Sequence, residues 1–147
     1  MPTLITFLTF IFVILPSQGL YSVTDRADAV TYYQLAHINE GADVILAHEN
    51  LAGAAFAELE TGDMIRVGYP DGVRLYQVKE LQRYTATDPR SVYSYFKRDG
   101  LSFSSVELVA LLYVPDRLIL QTCYDNARGR LFVIAEPVRI ERKAEAR

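Results

Sequence analysis

The chain has 147 residues, half of them hydrophobic and 22% charged, which suits one globular domain with a buried core. Fifteen Lys and Arg stand against eighteen Asp and Glu, a net charge of -3 with no basic cluster. That balance excludes nucleic acid as the main partner, because phosphate binding needs grouped cations. Zinc-type Cys/His spacing, a Walker loop and a dinucleotide glycine motif are all missing, so neither a metal nor a cofactor is expected.

In chain order, residues 4–15, "LITFLTFIFVIL", are continuously apolar, yet shorter than the roughly 20 residues that cross a bilayer. Two readings are open. Residues 1–16 suit a signal-anchor-like segment, truncated at its start, that ties the chain to a membrane. No Lys or Arg precedes them, however, so the usual positive flank is missing. The alternative is a buried strand, which the β-branched and aromatic residues permit. The membrane-directing reading is the expectation.

After Pro16 the texture is mainly that of strands joined by turns. "VTYYQLAH" reads as a strand, and His37 at its end as a strand or turn residue. "ADVILAH" follows a glycine as a short buried strand ending in His48. In "ENLAGAAFAELETGD", Leu51, Ala55, Phe56 and Leu59 fall at helical spacing, with Gly62 as a stop. "DMIRVGY" and "VRLYQVKELQRY" flank Pro70-Asp71-Gly72 and predict a hairpin. Residues 85–115 depart most from strand texture, and within them Ser104 and Glu107 have capping-box spacing at the start of a helix. "LILQTCY" and "GRLFVIAEPVRI" are the last strands, ahead of a charged tail over residues 142–147. Together these predict a mainly β domain with two short helices, closed as a barrel because so many strand edges need cover.

The single cysteine, Cys123, cannot form an internal disulfide, so it is a buried small hydrophobe or a reactive thiol. Only a thiolate attacks, and an ordinary thiol near pKa 8.5 is mostly protonated at neutral pH, so a useful cysteine wants a cation or an imidazole nearby. If the last two strands pair as a hairpin, Arg130 sits across from Cys123, with Arg128 two residues earlier on the same side. An arginine there suits a developing oxyanion; its ordinary role at a loop is a solvated charge. His48 can exchange protons with a thiol and a leaving amine, or simply bond a backbone carbonyl at a strand end.

"VILAHEN…F…L…GD" followed by "LILQTC…GRLFVIA" resembles the sortase family of bacterial cysteine transpeptidases, over about residues 44–138. The resemblance implies an eight-stranded sortase-like β-barrel over residues 17–141, with its N-terminal strands abbreviated. It implies that Cys123 is the nucleophile, His48 the proton-transferring histidine and Arg130 the oxyanion-supporting arginine, with Arg128 as the substitute if the register slips. Thr122 matches the threonine before the nucleophile and is expected to line the groove. Residues 85–115 correspond to the connection that shapes the substrate pocket, with Tyr95 and Phe96 as apolar walls. The implied partners are surface proteins carrying a C-terminal sorting signal and an amine acceptor, either a cell-wall precursor or a pilin subunit. The implied location is the cell membrane, with the catalytic domain outside the cytoplasm.

Two other classes stay open. One is a plain cysteine hydrolase of another fold; papain-like enzymes place the cysteine before the histidine, the reverse of the order here, although geometry rather than order defines such sites. A non-catalytic or degenerate sortase-like barrel that only binds is the other.

Overall fold

The computed structural model describes residues 1–17, 22–89, 91 and 93–142. The first strands, β1 (Leu4–Phe7) and β2 (Phe10–Pro16), form an antiparallel hairpin with Leu4 opposite Val13. Next come β3 (Ala29–Tyr32), parallel to β2, then α1 (Gln34–Glu40), β4 (Asp43–Leu46) and α2 (Gly53–Phe56). β5 (Met64–Tyr69) and β6 (Gly72–Ala86) pair across the two-residue loop Pro70-Asp71, as the hairpin reading expects. β7 (Tyr95–Arg98), β8 (Leu101–Ser104), α3 (Ser105–Leu112), β9 (Leu118–Tyr124) and β10 (Gly129–Arg142) complete the chain.

The strands follow the order β10-β9-β4-β3-β2-β1-β5-β6, and β6 pairs back onto β10 to close an eight-stranded barrel. The β7–β8 hairpin extends outward from the far end of β6. Register shifts interrupt the β6–β10 seam at Ile134/Ala135 and at Pro137/Arg139, where a proline lacks the donor a regular ladder needs.

The barrel interior holds Ile5, Phe7, Ile45, Phe56, Ile65, Val67, Leu120 and Val133. A second core lies on the outer wall, where Val44, Ile119, Phe132 and Ile134 meet Leu108 and Leu112 of α3 and Ala36 of α1. Strands β4, β9 and β10 are therefore covered on both faces. That explains why they read as unbroken apolar runs rather than alternating ones. The capping box that starts α3 is formed in full: Glu107 N–H donates to Ser104 Oγ at 3.2 Å, and Ser104 N–H to Glu107 Oε1 at 3.0 Å.

Three expectations need correction. Residues 4–16 are part of the barrel rather than a signal-anchor-like segment ahead of it. Ile5, Phe7, Phe12 and Ile14 alternate into the core, so the apolar run is a strand pair, and it supplies the strands that seemed abbreviated. Among the described residues no helix is long and apolar enough to cross a membrane. There are three helices rather than two among the described residues, because residues 34–40, read as strand or turn, form α1 with His37 on it. That helix has no side-chain N-cap, and its only sequence signal is its stop: Gly41 at φ 81°, with its N–H on the carbonyls of Ala36 and His37. Residues 143–147 of the expected tail lie outside the described residues.

At the entry of β4, the buried carboxylate of Asp43 accepts the hydroxyls of Tyr32 at 2.7 Å and Tyr69 at 2.5 Å. His37 Nδ1 lies 3.2 Å away and Arg74 Nη1 3.8 Å away. The Arg74 guanidinium stacks 4.1 Å over the Tyr69 ring. Burial, reinforced by the carboxylate, holds both tyrosine hydroxyls well above their ordinary pKa, so they stay donors. Asp43→Ala strips the carboxylate acceptor from the buried Tyr32 hydroxyl and the part-buried Tyr69 hydroxyl and should cost about 2 to 4 kcal/mol in urea unfolding, while Asp43→Asn, which keeps an acceptor oxygen, should cost less. A loss under about 1 kcal/mol for the alanine variant would show that the network contributes little.

Candidate active site

The parallel register of β4 and β9 sets the site. It runs from Asp43 opposite Leu118 to Leu46 opposite Gln121, and Ala47 N–H extends it to the Gln121 carbonyl at 3.2 Å. His48 therefore leaves the sheet beside Cys123. On the other flank, antiparallel β10 places Arg130 directly across from Cys123. Leu118, Leu120 and the buried Thr122 point into the barrel. Alternation then turns Ile119, Gln121 and Cys123 outward, on the same face as Arg130.

His48, Cys123 and Arg130 line one cavity of about 550 Å³, together with Glu49, Asn126 and Ala127. Leu46, Gln121 and Arg130 also border a neighbouring groove of about 380 Å³, walled by Phe96, Leu108, Tyr113 and Phe132. The polar cavity thus opens into an apolar groove, with the arginine at the join. The side chain of Arg130 is held in several ways. Nη2 donates to the Pro89 carbonyl at 2.7 Å, and Nη1 donates to the carbonyls of Gly129, at 3.2 Å, and of Ala127. Its guanidinium also lies 5.7 Å from the centre of the Phe96 ring.

His48 is fixed mainly by its backbone, whose carbonyl accepts from Leu51 N–H at 3.1 Å and Gly53 N–H at 3.0 Å. Gly53 is required here, because a Cβ on it would meet Thr122 Oγ1 at 2.1 Å and the His48 carbonyl at 2.5 Å. The imidazole Nε2 lies 3.3 Å from the Asp25 carboxylate, an exposed pair that salt screens. Thr122 borders the cavity, but its hydroxyl is committed to the Ala47 carbonyl at 2.8 Å. It therefore anchors the backbone that carries His48.

Arg128 stays exposed in the turn, where its carbonyl accepts from Ala86 N–H at 2.7 Å, and the register does not slip in its favour. Tyr95 and Phe96 part company. Neighbours on a strand face opposite ways, so Phe96 walls the groove while Tyr95 is half exposed outside it. Glu49, Asp25, Pro89 and Ala127 are neighbours of His48, Cys123 and Arg130 that sequence reasoning does not single out. Only Glu49 carries a signal, its place directly after His48.

The thiol is half buried, and burial pushes its pKa up, Arg130 draws it down and Glu49 pushes it up, with burial the largest effect. The resting thiol is therefore protonated at neutral pH. Iodoacetamide labelling of Cys123 should reach half its maximal rate above the ordinary thiol value of about 8.5. Arg130→Gln, which removes the one favourable charge, should move that midpoint further up. A midpoint below 8 in the parent protein would contradict this account of the site.

A sequence model of the sortase domain matches residues 12–138. A comparison with curated proteins gives no match. Among solved structures, sortase A from Listeria monocytogenes superposes with a TM-score of 0.63 at 14% identity, over 97% of this chain and 90% of that one. Sortase E1 from Streptomyces coelicolor, solved with a tripeptide in its active site, gives 0.63 at 20% identity, over 96% and 90%. Sortase A from Corynebacterium diphtheriae gives 0.63 at 17% identity, over 94% of this chain and 60% of that one. At such identities the likeness is one of fold. The sequence match adds the lineage, since it runs from β2 to β10 and takes in His48, Cys123 and Arg130: the chain belongs to the sortase family.

Proposed function

We propose that the chain is a cysteine transpeptidase that cuts a sorting motif near the C-terminus of surface proteins and transfers the acyl part to an amine. The observation that carries this reading is the shared cavity of His48, Cys123 and Arg130, opening into an apolar groove. A hydrophobic side chain of the motif fits between Leu46, Phe96, Leu108 and Phe132, which leaves the following carbonyl at the arginine.

The chemistry then balances as follows. The Cys123 proton passes to His48 as Sγ attacks the scissile carbonyl carbon. The oxyanion that forms lies beside the Arg130 guanidinium, whose N–H groups exchange backbone carbonyls for it. The C–N bond breaks, His48 returns the proton to the departing amine, and a thioester remains. An incoming amine attacks that thioester, loses a proton and restores the thiol. One amide is exchanged for another, with no oxidant or energy source required. Water in place of the amine gives slow hydrolysis.

In this reading the acceptor is an amine of a cell-wall precursor or a pilin subunit, and the domain works on the outer face of the cell membrane. Protease shaving of intact cells, with immunoblotting for the barrel, checks that location; protection from the protease would contradict it.

The reading is tested with a library of sorting-motif peptides, with and without an added amine, followed by mass spectrometry. The parent protein should give a thioester adduct on Cys123 and an amide product only when amine is present. Cys123→Ala should fall to background, and His48→Ala and Arg130→Ala should each lose about 10² to 10⁴ in rate. Turnover by Cys123→Ala would sink the proposal. Free acid alone, even with amine present, would identify a hydrolase. Peptide binding without any adduct would identify the barrel as a binding module.

A further inference from the structure

The turn between β9 and β10 is unusual. Asp125, Asn126 and Ala127 all take left-handed backbone angles, φ 51°, 54° and 67°. Each such residue costs about 1 kcal/mol or more unless it is held, and of the three only Ala127 lacks a polar side chain that tolerates the conformation. Ala127 is held at both poles of its backbone. Its N–H donates to Glu49 Oε2 at 3.3 Å, and its carbonyl accepts from Arg130 Nη1. The turn closes on itself through Arg128 N–H to the Asp125 carbonyl at 3.1 Å.

We propose that Glu49 is a positioning residue of the transfer reaction: it holds the Ala127 peptide, and through it the turn that keeps Arg130 facing Cys123. The proposal rests on the transpeptidase reading above and adds a residue to it. In the resting protein Arg130 and Glu49 share the clamp. When Arg130 turns its N–H groups to the oxyanion it gives up the Ala127 carbonyl, and Glu49 is the hold that remains. Because Glu49 directly follows His48, the same contact joins the histidine-bearing loop to the turn after the cysteine, 78 residues away in sequence. One carboxylate thereby sets the distance between the two halves of the site.

The position also places a negative charge against the thiol. Cys123 separates two cavities, and Glu49 lines both. The charged or titratable groups around the thiol are His48 and Glu49 from the loop after β4, Arg130 from β10, and, in the second cavity, Arg83 from β6, Tyr124 from β9 and Asp125 from the turn. The hydrogen bond and the charge of Glu49 are thus separable. Gln keeps an acceptor oxygen for Ala127 N–H and drops the charge, and Ala drops both.

Three measurements on the full chain decide the matter. Amide hydrogen exchange at Ala127 should speed up at least about tenfold in Glu49→Ala and stay within about threefold of the parent in Glu49→Gln. Iodoacetamide labelling of Cys123 at pH 7.5 should quicken about threefold in both variants, because a like charge beside the thiolate has gone. In peptide transfer, Glu49→Ala should lower kcat about tenfold with KM little changed, since the arginine is needed in the transition state, and Glu49→Gln should restore kcat to within about threefold. A glutamine variant as slow as the alanine variant, or unchanged Ala127 exchange in the alanine variant, overturns the proposal. If the parent itself transfers no peptide, the transpeptidase reading fails, and the exchange and labelling results still decide whether Glu49 holds the turn.

Discussion

Closure of β6 onto β10 is the constraint on which the site depends. The seam runs from Gly129 opposite Thr85 to Arg142 opposite Gly72, and it fixes β10 along its length. β9 is then trapped between β10 and the parallel strand β4. A slip of one residue in β9 would turn Leu118 and Leu120 out of the core and swing Cys123 into it. Each buried leucine is worth about 1.5 to 3 kcal/mol, so the slip is strongly disfavoured. Cys123 faces outward because Leu118 and Leu120 face inward. The packing of the barrel, rather than any property of the thiol, decides where the sulfur points.

The groove has a similar origin. The outer wall of β4, β9 and β10 is apolar, and it needs cover as much as the interior does. α3 supplies that cover over Ile119, Phe132 and Ile134, with its start fixed by the Ser104–Glu107 box. The cover is incomplete toward the strand ends, where Leu108 and Val109 of α3 form one wall of an open cavity that Leu46, Phe96 and Phe132 also line. The groove is the unfinished end of the second core. In the proposed function, a substrate side chain that enters it completes a packing arrangement the chain has already built.

Much of this was legible in the sequence, for identifiable reasons. Buried strands announce themselves as short apolar runs, so β4, which leads into His48, and β9 and β10, which carry Cys123 and Arg130, could be placed from "ADVILAH", "LILQTCY" and "GRLFVIA". Once β9 and β10 are read as a hairpin, the Arg130–Cys123 pairing follows from the turn. What could not be read depends on long-range partners. Residues 4–15 look the same whether they enter lipid or a barrel, and distant partners decide it: β5, more than fifty residues later, pairs with β1, and β3 pairs with β2. α1 starts without a capping side chain, so local sequence gives it no beginning. The hold of Glu49 on Ala127 spans 78 residues and has no periodicity to betray it.

If Cys123 is the nucleophile of the proposed reaction, burial of the thiol needs a reason, because it works against thiolate formation. A shift of one pKa unit costs about tenfold in thiolate at fixed pH. The same exclusion of water strengthens whatever Arg130 does for a developing oxyanion, since charge interactions weaken in proportion to the dielectric. Losing a single oxyanion donor typically costs 10² to 10³ in rate. Where the chemistry is acyl transfer, a half-buried cysteine beside an arginine therefore gains more at the transition state than it loses in the ground state. Keeping Cys123 protonated at rest also spares it from reaction with stray electrophiles. In the proposed transfer the thiol becomes nucleophilic only as its proton passes to His48, with the scissile carbonyl already at Arg130.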